Sequence, residues 1–173
     1  MKKITHISDN LYYDERSAGG LVFKIENGQV WWLVIKVLSS GKFRGNTGKA
    51  TKKSVFKFPK GHLQRGEFLK AAALREAEEE GKVKAEIVSK IGSNNYVFYD
   101  KIKRQKIIKK VTFFLMRYLG QSDIKYADAE IIIDRQWMSY EEASKNLAYD
   151  SEKILLKRAR QRLDELLKLG KTV

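Results

Sequence analysis

Between Gly61 and Val83 the chain reads GHLQRGEFLKAAALREAEEEGKV, a glycine-led loop running into a helix with three acids on one side. At about 100° per residue, Glu76, Glu79 and Glu80 fall within roughly 100° of arc, while Glu78 points the opposite way. Leu69, Ala72, Ala73 and Val83 share the azimuth of Glu76 and Glu80. The acids therefore face inward, where an ordinary surface helix keeps its apolar stripe. Partly buried like charges repel and lose hydration, so they must be protonated or offset by cations. Hard divalent ions take carboxylate oxygen, and Mg²⁺ in particular is held by a few carboxylates, waters and substrate phosphates. Arg75 stands i,i+4 from Glu79 and steadies one carboxylate. A solvated charged helix would be the simpler account in a chain that is 32% charged, were the acids alone.

They are not alone. Gly61, Glu67, Arg75, Glu76, Glu79, Glu80 and Val83 fall in register with G-x5-E-x7-R-E-U-x-E-E-x-G-U, U being aliphatic, and the stretch resembles the Nudix box. At average residue frequencies a chance match to the six most specific positions is on the order of one in ten thousand chains or rarer. Two positions depart: Ala77 is a small occupant of the first U, and Lys82 replaces the second glycine, with Gly81 one place early. Gly81 is the expected left-handed residue that ends the helix, one residue sooner than the family pattern.

The resemblance implies an α/β (α+β) fold, a mixed β-sheet packed between helices as an α-β-α sandwich. It implies hydrolysis of a phosphoanhydride, with Glu76, Glu79 and Glu80 binding one to three Mg²⁺ ions, Mn²⁺ being the other candidate. A backbone carbonyl at Lys60 or Gly61 would complete a metal shell, Arg75 would support the acids, and Glu67 would brace the loop. Either Glu79 or Glu76 would act on water, and the choice between them is open. Glu130 and Asp134 are the downstream candidates for a base, with ordinary polar positions at a strand edge as the simpler account.

Length and composition agree with a single catalytic domain over residues 1–173. Hydrophobic residues make up 43% and aromatics 11%, enough for a sizeable core, and the chain has no cysteine, which excludes disulfides and thiol nucleophiles. His6 and His62 are the two imidazoles, and neither has a His-metal spacing. With no apolar leader and no run of 18 apolar residues, a cytoplasmic protein without membrane contact is expected, as monomer or homodimer.

Residues 20–25 and 30–37 are β-rich runs around Asn27-Gly28, the strongest short hairpin signal. Residues 39–54, SSGKFRGNTGKATKKS, read as a long basic polar loop. Strands are expected at 55–58, 85–91, 96–99, 107–118 and 130–137. Ser139 with Glu142 forms a capping-box pattern. An amphipathic helix is expected at about 151–169, with Leu155, Ala159, Leu163 and Leu166 on one face. GNTGKAT at 45–51 fails as a phosphate-binding P-loop because Phe43 and Ala50 stand where glycine and Ser/Thr are needed.

Residues outside the box bear on substrate. FPKGH at 58–62, KVTFFLM at 110–116 and the W-x-S-x-EEA-x3-L-x-Y run from Trp137 to Tyr149 resemble the dinucleoside polyphosphate hydrolase branch. That branch implies asymmetric cleavage of diadenosine tetraphosphate to ATP and AMP. Lys57, Lys60 and His62 are candidate substrate-binding residues. The net charge of +14 comes from 35 basic and 21 acidic residues. Lys42, Arg44, Lys49, Lys52, Lys53, Lys57 and Lys60 run without an intervening acid, and Lys101 to Lys110 hold a second block. Such a surface draws polyphosphates, and it also fits RNA. Tyr99 and Tyr149 are the stacking candidates for a base, whereas Trp31, Trp32, Phe113, Phe114 and Trp137 read as structural. Two other functions stay open: an RNA 5′-end pyrophosphohydrolase, and a non-catalytic nucleotide- or RNA-binding module, against which the three inward acids count.

Overall fold

The computed structural model describes residues 14–44, 50–100, 104–125 and 131–170. The elements run β1 (Glu15–Glu26), β2 (Gln29–Arg44), β3 (Ala50–Lys57), β4 (Lys60–His62), α1 (Leu69–Glu79), β5 (Val83–Asp100), β6 (Gln105–Gln121), β7 (Ile132–Met138), α2 (Tyr140–Asn146) and α3 (Asp150–Lys168). The strands form one sheet in the order β3-β2-β1-β6-β5, with β4 beside β1 and β7 beside β2. Its one parallel pair among the described strands joins β1 to β6; the rest are antiparallel, which makes the sheet mixed. None of the helices is long and apolar enough to cross a membrane, among the described residues.

Strand alternation divides the core into two layers. On one face Ala18, Val22, Leu33, Phe114 and Met116 meet Ala72, Ala73 and Ala77 of α1. On the other, Leu21, Phe23, Trp32, Val34, Phe113 and Leu115 meet Ala143 and Leu147 around α2 and Leu155, Leu156, Ala159, Leu163 and Leu166 of α3. Burying a side chain of the Leu or Phe class is worth about 1.5–3 kcal/mol, so the α3 layer, with the larger residues, carries most of the packing. The α1 layer uses alanines at its contact with the sheet. Small side chains let the helix backbone approach closely, which matters for the acids that follow.

Asn27 and Gly28 sit at φ 52° and 75° and close the β1–β2 hairpin between Glu26 and Gln29, the left-handed pair a type I′ turn requires. Ser139 and Glu142 cap α2 reciprocally, at 3.2 Å and 2.9 Å. Two expectations need correction. Residues 39–54 are not a polar loop: the β2–β3 ladder continues through Lys42↔Lys52, Phe43↔Thr51 and Arg44↔Ala50 after a bulge beyond Leu38, and 45–49 lie outside the described residues. Once Ile35↔Lys57 is in register, each further rung satisfies backbone groups whatever the side chains, so a polar sequence still pairs. Likewise 85–91 and 96–99 are one strand, β5, since Gly92 to Asn95 stay paired to Phe113 to Lys110 and irregularities near Lys84, Ile87 and Lys90 absorb the break in alternation.

The end of α1 also differs from expectation. Gly81 is not the left-handed residue; Lys82 is, at φ 56°, the position of the box's second glycine. Gly81 is needed for packing, because a Cβ there would collide with the Ala77 carbonyl and press on Leu33. A left-handed non-glycine residue is strained by about 1–2 kcal/mol, partly offset by the chain entropy a glycine would lose. Lys82→Gly is therefore expected to raise stability by about 0.5 kcal/mol in urea denaturation; an unchanged or lower midpoint would contradict this account of the turn.

Candidate active site

The site is built where α1 meets β4. Pairing of β4 with β1 places Lys60 opposite Gly19, Gly61 opposite Ala18 and His62 opposite Ser17. Since Ala18 belongs to the α1 layer and Leu21 to the α3 layer, alternation turns Gly61 toward α1 and the Lys60 and His62 side chains toward α3. Glycine at 61 leaves room for the acid: a Cβ there would occupy the position of the Glu76 carboxylate and displace it. Glu80, one residue beyond α1, accepts the Lys60 backbone N–H at 2.7 Å through Oε2.

Arg75 organises the remaining acids. Its Nε donates to Glu67 Oε1 (2.8 Å), Nη1 to Glu76 Oε1 (2.6 Å) and Glu79 Oε2 (2.7 Å), and Nη2 to Glu67 Oε2 (2.9 Å) and the His62 carbonyl (2.9 Å). All five guanidinium N–H donors are thereby used. Glu67 also accepts the Gln64 N–H at 2.9 Å, which ties the loop before the helix to the helix itself. Glu78 faces away and takes the Ser122 hydroxyl at 2.7 Å.

Burial dominates the electrostatics. Glu76 is pushed above the usual carboxylate range by desolvation, against the pull of Arg75. Glu80 is pushed up to about 7 by desolvation, opposed by nearby Lys57 and by the Lys60 N–H. Glu67, by contrast, is held down by its hydrogen bond to Arg75, and Arg75 is driven further toward permanent charge by Glu67. Two carboxylates that resist ionisation beside a third form a region that a cation would stabilise. Among the described residues no three acids or imidazoles stand as a ready ligand cage; Arg75 Nη1 lies between Glu76 and Glu79 instead. The donor set nonetheless fits a hard divalent ion, with oxygen ligands from one helix against a strand backbone that only glycine allows so near.

The other candidates are distributed as follows. Lys57 is buried at the end of β3. His62 Nε2 lies 3.1 Å from Glu15 Oε2 and 3.0 Å from Lys109 Nζ. Tyr149 precedes α3 and is about half-exposed, whereas Tyr99 is exposed opposite Lys106. Register puts Tyr99 on the α1 face of the β5–β6 arm, so the two tyrosines lie on opposite sides of the sheet and the structure does not bring them together. Tyr96, opposite Lys109, lies on the α3 side with Lys60 and His62, its hydroxyl 3.4 Å from Ser151 Oγ. Asp134 is exposed and bonded to the Arg135 N–H and to Gln136, not to α1, and Glu130 lies outside the described residues. Trp137 packs edge-on against Tyr118 at 5.1 Å.

Two residues escaped the sequence reading. Arg135 Nε donates to the Glu80 carbonyl at 2.6 Å and caps the end of α1; nothing in the β7 pattern marks it. Glu152 is fully buried and accepts the Phe58 N–H at 2.9 Å. Its signal was available, since it lies on the same azimuth as Leu155, Leu156, Ala159 and Leu163.

The network yields two expectations. Arg75→Lys keeps the charge but replaces a five-donor fork with a point charge, and should cost about 1–3 kcal/mol in urea denaturation; a loss under 0.5 kcal/mol would show the fork to be dispensable. The second concerns pH. Glu80 and Glu152 both titrate near 7 in the folded chain, and each has its ordinary value of 4.5 as reference. Between these values the folded state holds protons that the unfolded state has released, so stability falls as pH rises. Without divalent cations, melting temperature should drop between pH 5 and pH 7.5, and Glu80→Gln should flatten the slope; equal slopes would contradict it.

Comparison with known proteins bears on the fold and the family. Residues 16–158 match the family model for the NUDIX domain. The Mycobacterium tuberculosis (strain CDC 1551 / Oshkosh) protein named MutT4 is 30% identical over 156 residues, covering 88% of this chain and 57% of that protein. The chain thus spans little more than half the length of that relative. Among solved structures, a NUDIX hydrolase from Nitrosomonas europaea superimposes with a TM-score of 0.63 at 14% identity, covering 86% of this chain and 89% of that one. The C. elegans Ap4A hydrolase binary complex gives 0.59 at 18% identity, covering 87% and 98%. Nudix hydrolases generally use divalent metal ions. With the box residues gathered at one corner of a mixed sheet and the family model spanning most of its length, this chain belongs to the Nudix family.

Proposed function

We propose that the chain hydrolyses a phosphoanhydride bond of a nucleoside polyphosphate with Mg²⁺, and that the substrate is a dinucleoside polyphosphate such as diadenosine tetraphosphate, cut asymmetrically to ATP and AMP. The observation that carries this reading is the meeting of Glu76 and Glu80 with the Lys60–Gly61 backbone, Glu79 being held beside them by Arg75. The FPKGH sequence of that backbone supports the dinucleotide, as does the fold likeness to a protein described as an Ap4A hydrolase.

Each group then has a task. Glu76, Glu80 and the Gly61 carbonyl would hold the cation, which when bound neutralises charge on the attacked phosphoryl group. Glu79 is the most accessible of the three acids, its side chain 22% exposed against 9% for Glu76. We assign it the proton of the attacking water, with Arg75 fixing one oxygen and leaving the other to accept. Lys57, Lys60 and His62 would offset the charge of the remaining phosphates, and Tyr149, about half-exposed before α3, is our candidate to stack on a base. A second substrate class is favoured by the exposed β5–β6 arm, where Tyr99 stands opposite Lys106 in a chain of net charge +14: RNA carrying a 5′-triphosphate.

Product analysis in ¹⁸O-labelled water with Mg²⁺ tests the reading. ATP plus AMP from diadenosine tetraphosphate is expected, at a rate well above that for triphosphorylated RNA. A 100-fold preference for RNA would replace the substrate, and no turnover of either, alongside tight binding, would favour a binding module. Glu79→Gln should lower kcat by about 10²–10⁴ while leaving the melting temperature near wild type; activity within twofold would remove Glu79 from its assigned role.

A further inference from the structure

The short segment that delivers Lys60 and Gly61 is gripped by buried carboxylates from both helical layers, and only one of them belongs to the Nudix box. From the α1 side Glu80 takes the Lys60 N–H at 2.7 Å. From the α3 side Glu152 takes the Phe58 N–H at 2.9 Å. Between them the Pro59 carbonyl accepts the Gly20 N–H at 3.1 Å. Phe58 lies where the chain has left β3, the partner of β2, and has not yet joined β4, the partner of β1. Its amide is buried there and has no strand to pair with, so a side chain must satisfy it.

A carboxylate at position 152 carries a desolvation cost of its own. The residue is 0% exposed among Leu155, Leu156 and Ala159 of its own helix, and its second oxygen, Oε1, has no hydrogen-bond partner among the described residues. Burial raises its pKa to about 7 in spite of Lys60 and Lys57 nearby. An apolar residue of similar volume would remove that cost but leave the Phe58 N–H buried and unpaired. What an apolar residue would lose is the hold on Phe58 N–H, two residues before Lys60.

We propose that Glu152 is a positioning residue for this reaction: through the Phe58 N–H it fixes the Lys60–Gly61 backbone against the acids of α1. Docking of α3 and assembly of the cation site are thereby coupled. The proposal rests on the reading of Glu76, Glu80 and Gly61 as the cation site. Displacements of about 1 Å in supporting groups cost up to 10²-fold in rate, and loss of groups that orient metal ligands typically costs 10–100-fold in metal affinity. The hydrogen bond is the working element and the charge is not. Glu152→Gln keeps an acceptor oxygen, whereas Glu152→Leu fills the volume without one.

The test compares the full-length wild type with these two variants by three readouts. Amide hydrogen exchange is followed at Phe58 and at residues 60–62, Mn²⁺ binding is titrated by electron paramagnetic resonance without nucleotide, and kcat and KM are measured on diadenosine tetraphosphate. Glu152→Leu is expected to stay folded, to exchange its Phe58, Lys60 and Gly61 amides at least 10-fold faster with the α1 amides unchanged, and to bind Mn²⁺ at least 10-fold more weakly. Its kcat should fall by 10-fold or more with KM within threefold. Glu152→Gln should lie within threefold of wild type in every readout. Unchanged exchange and Mn²⁺ affinity in the Leu variant would overturn the proposal, and so would a Gln variant as impaired as Leu. Should Leu prevent folding, Glu152→Met provides the same comparison. A wild type that turns over no dinucleotide leaves exchange and Mn²⁺ binding to decide, whereas a wild type that binds no Mn²⁺ overturns the cation-site reading and this proposal with it.

Discussion

Everything at the acidic corner depends on the Arg75 fork. Without a cation among them, Glu67, Glu76 and Glu79 would repel one another across a few ångströms, and α1 would not hold its acidic edge against the sheet. Arg75 answers with five charge-assisted contacts, to all three acids and to the His62 carbonyl. Such contacts are about twice as strong as neutral ones and fixed in direction by the planar guanidinium. The same side chain therefore sets where the loop before α1 lies and where β4 ends. It does so while leaving Glu80 to Lys60, so the strand backbone and the helix are joined at two independent points.

The layers explain why the arrangement requires this particular helix. Alanines at 72, 73 and 77 bring α1 close to β1, and Gly61 removes the one side chain that would hold β4 away from it. Close approach buries Glu76 and Glu80, and burial drives their carboxyl groups upward. A helix of larger residues would stand off from the sheet, hydrate its acids and lose their demand for a cation. The α3 layer, filled by leucines and aromatics, supplies the rigid backing that lets the α1 side be built from small residues.

Much of this was legible in the chain itself. The inward acids, the i,i+4 pairing of Arg75 with Glu79, the Asn27-Gly28 hairpin, the Ser139 cap and the apolar face of α3 follow from spacing, since helix and turn geometry are local. The long β2–β3 and β5–β6 ladders were less legible, because pairing energy comes from a partner strand and not from side-chain pattern. The 39–54 segment reads as a loop by composition, yet hydrogen-bonds rung by rung. Lys82 shows a similar limit: glycine preference pointed to Gly81 for the left-handed turn, but packing against Leu33 and Ala77 claims that glycine. Tyr99 and Tyr96 differ only in parity, which a sequence reveals once the register with β6 is known.

The inward-facing acids of α1 have a counterpart in α3. A charged residue on the apolar azimuth of a helix is costly, and the chain contains another such case at Glu152. Its signal is masked because α3 otherwise reads as an ordinary amphipathic helix. In the structure both anomalies end on the same four residues, Phe58 to Gly61, reached from opposite faces of the sheet. One buried acid on a helix invites a local explanation such as a chance contact. Two, from helices far apart in sequence and converging on a single backbone segment, indicate that the segment's position is what both helices are arranged to hold.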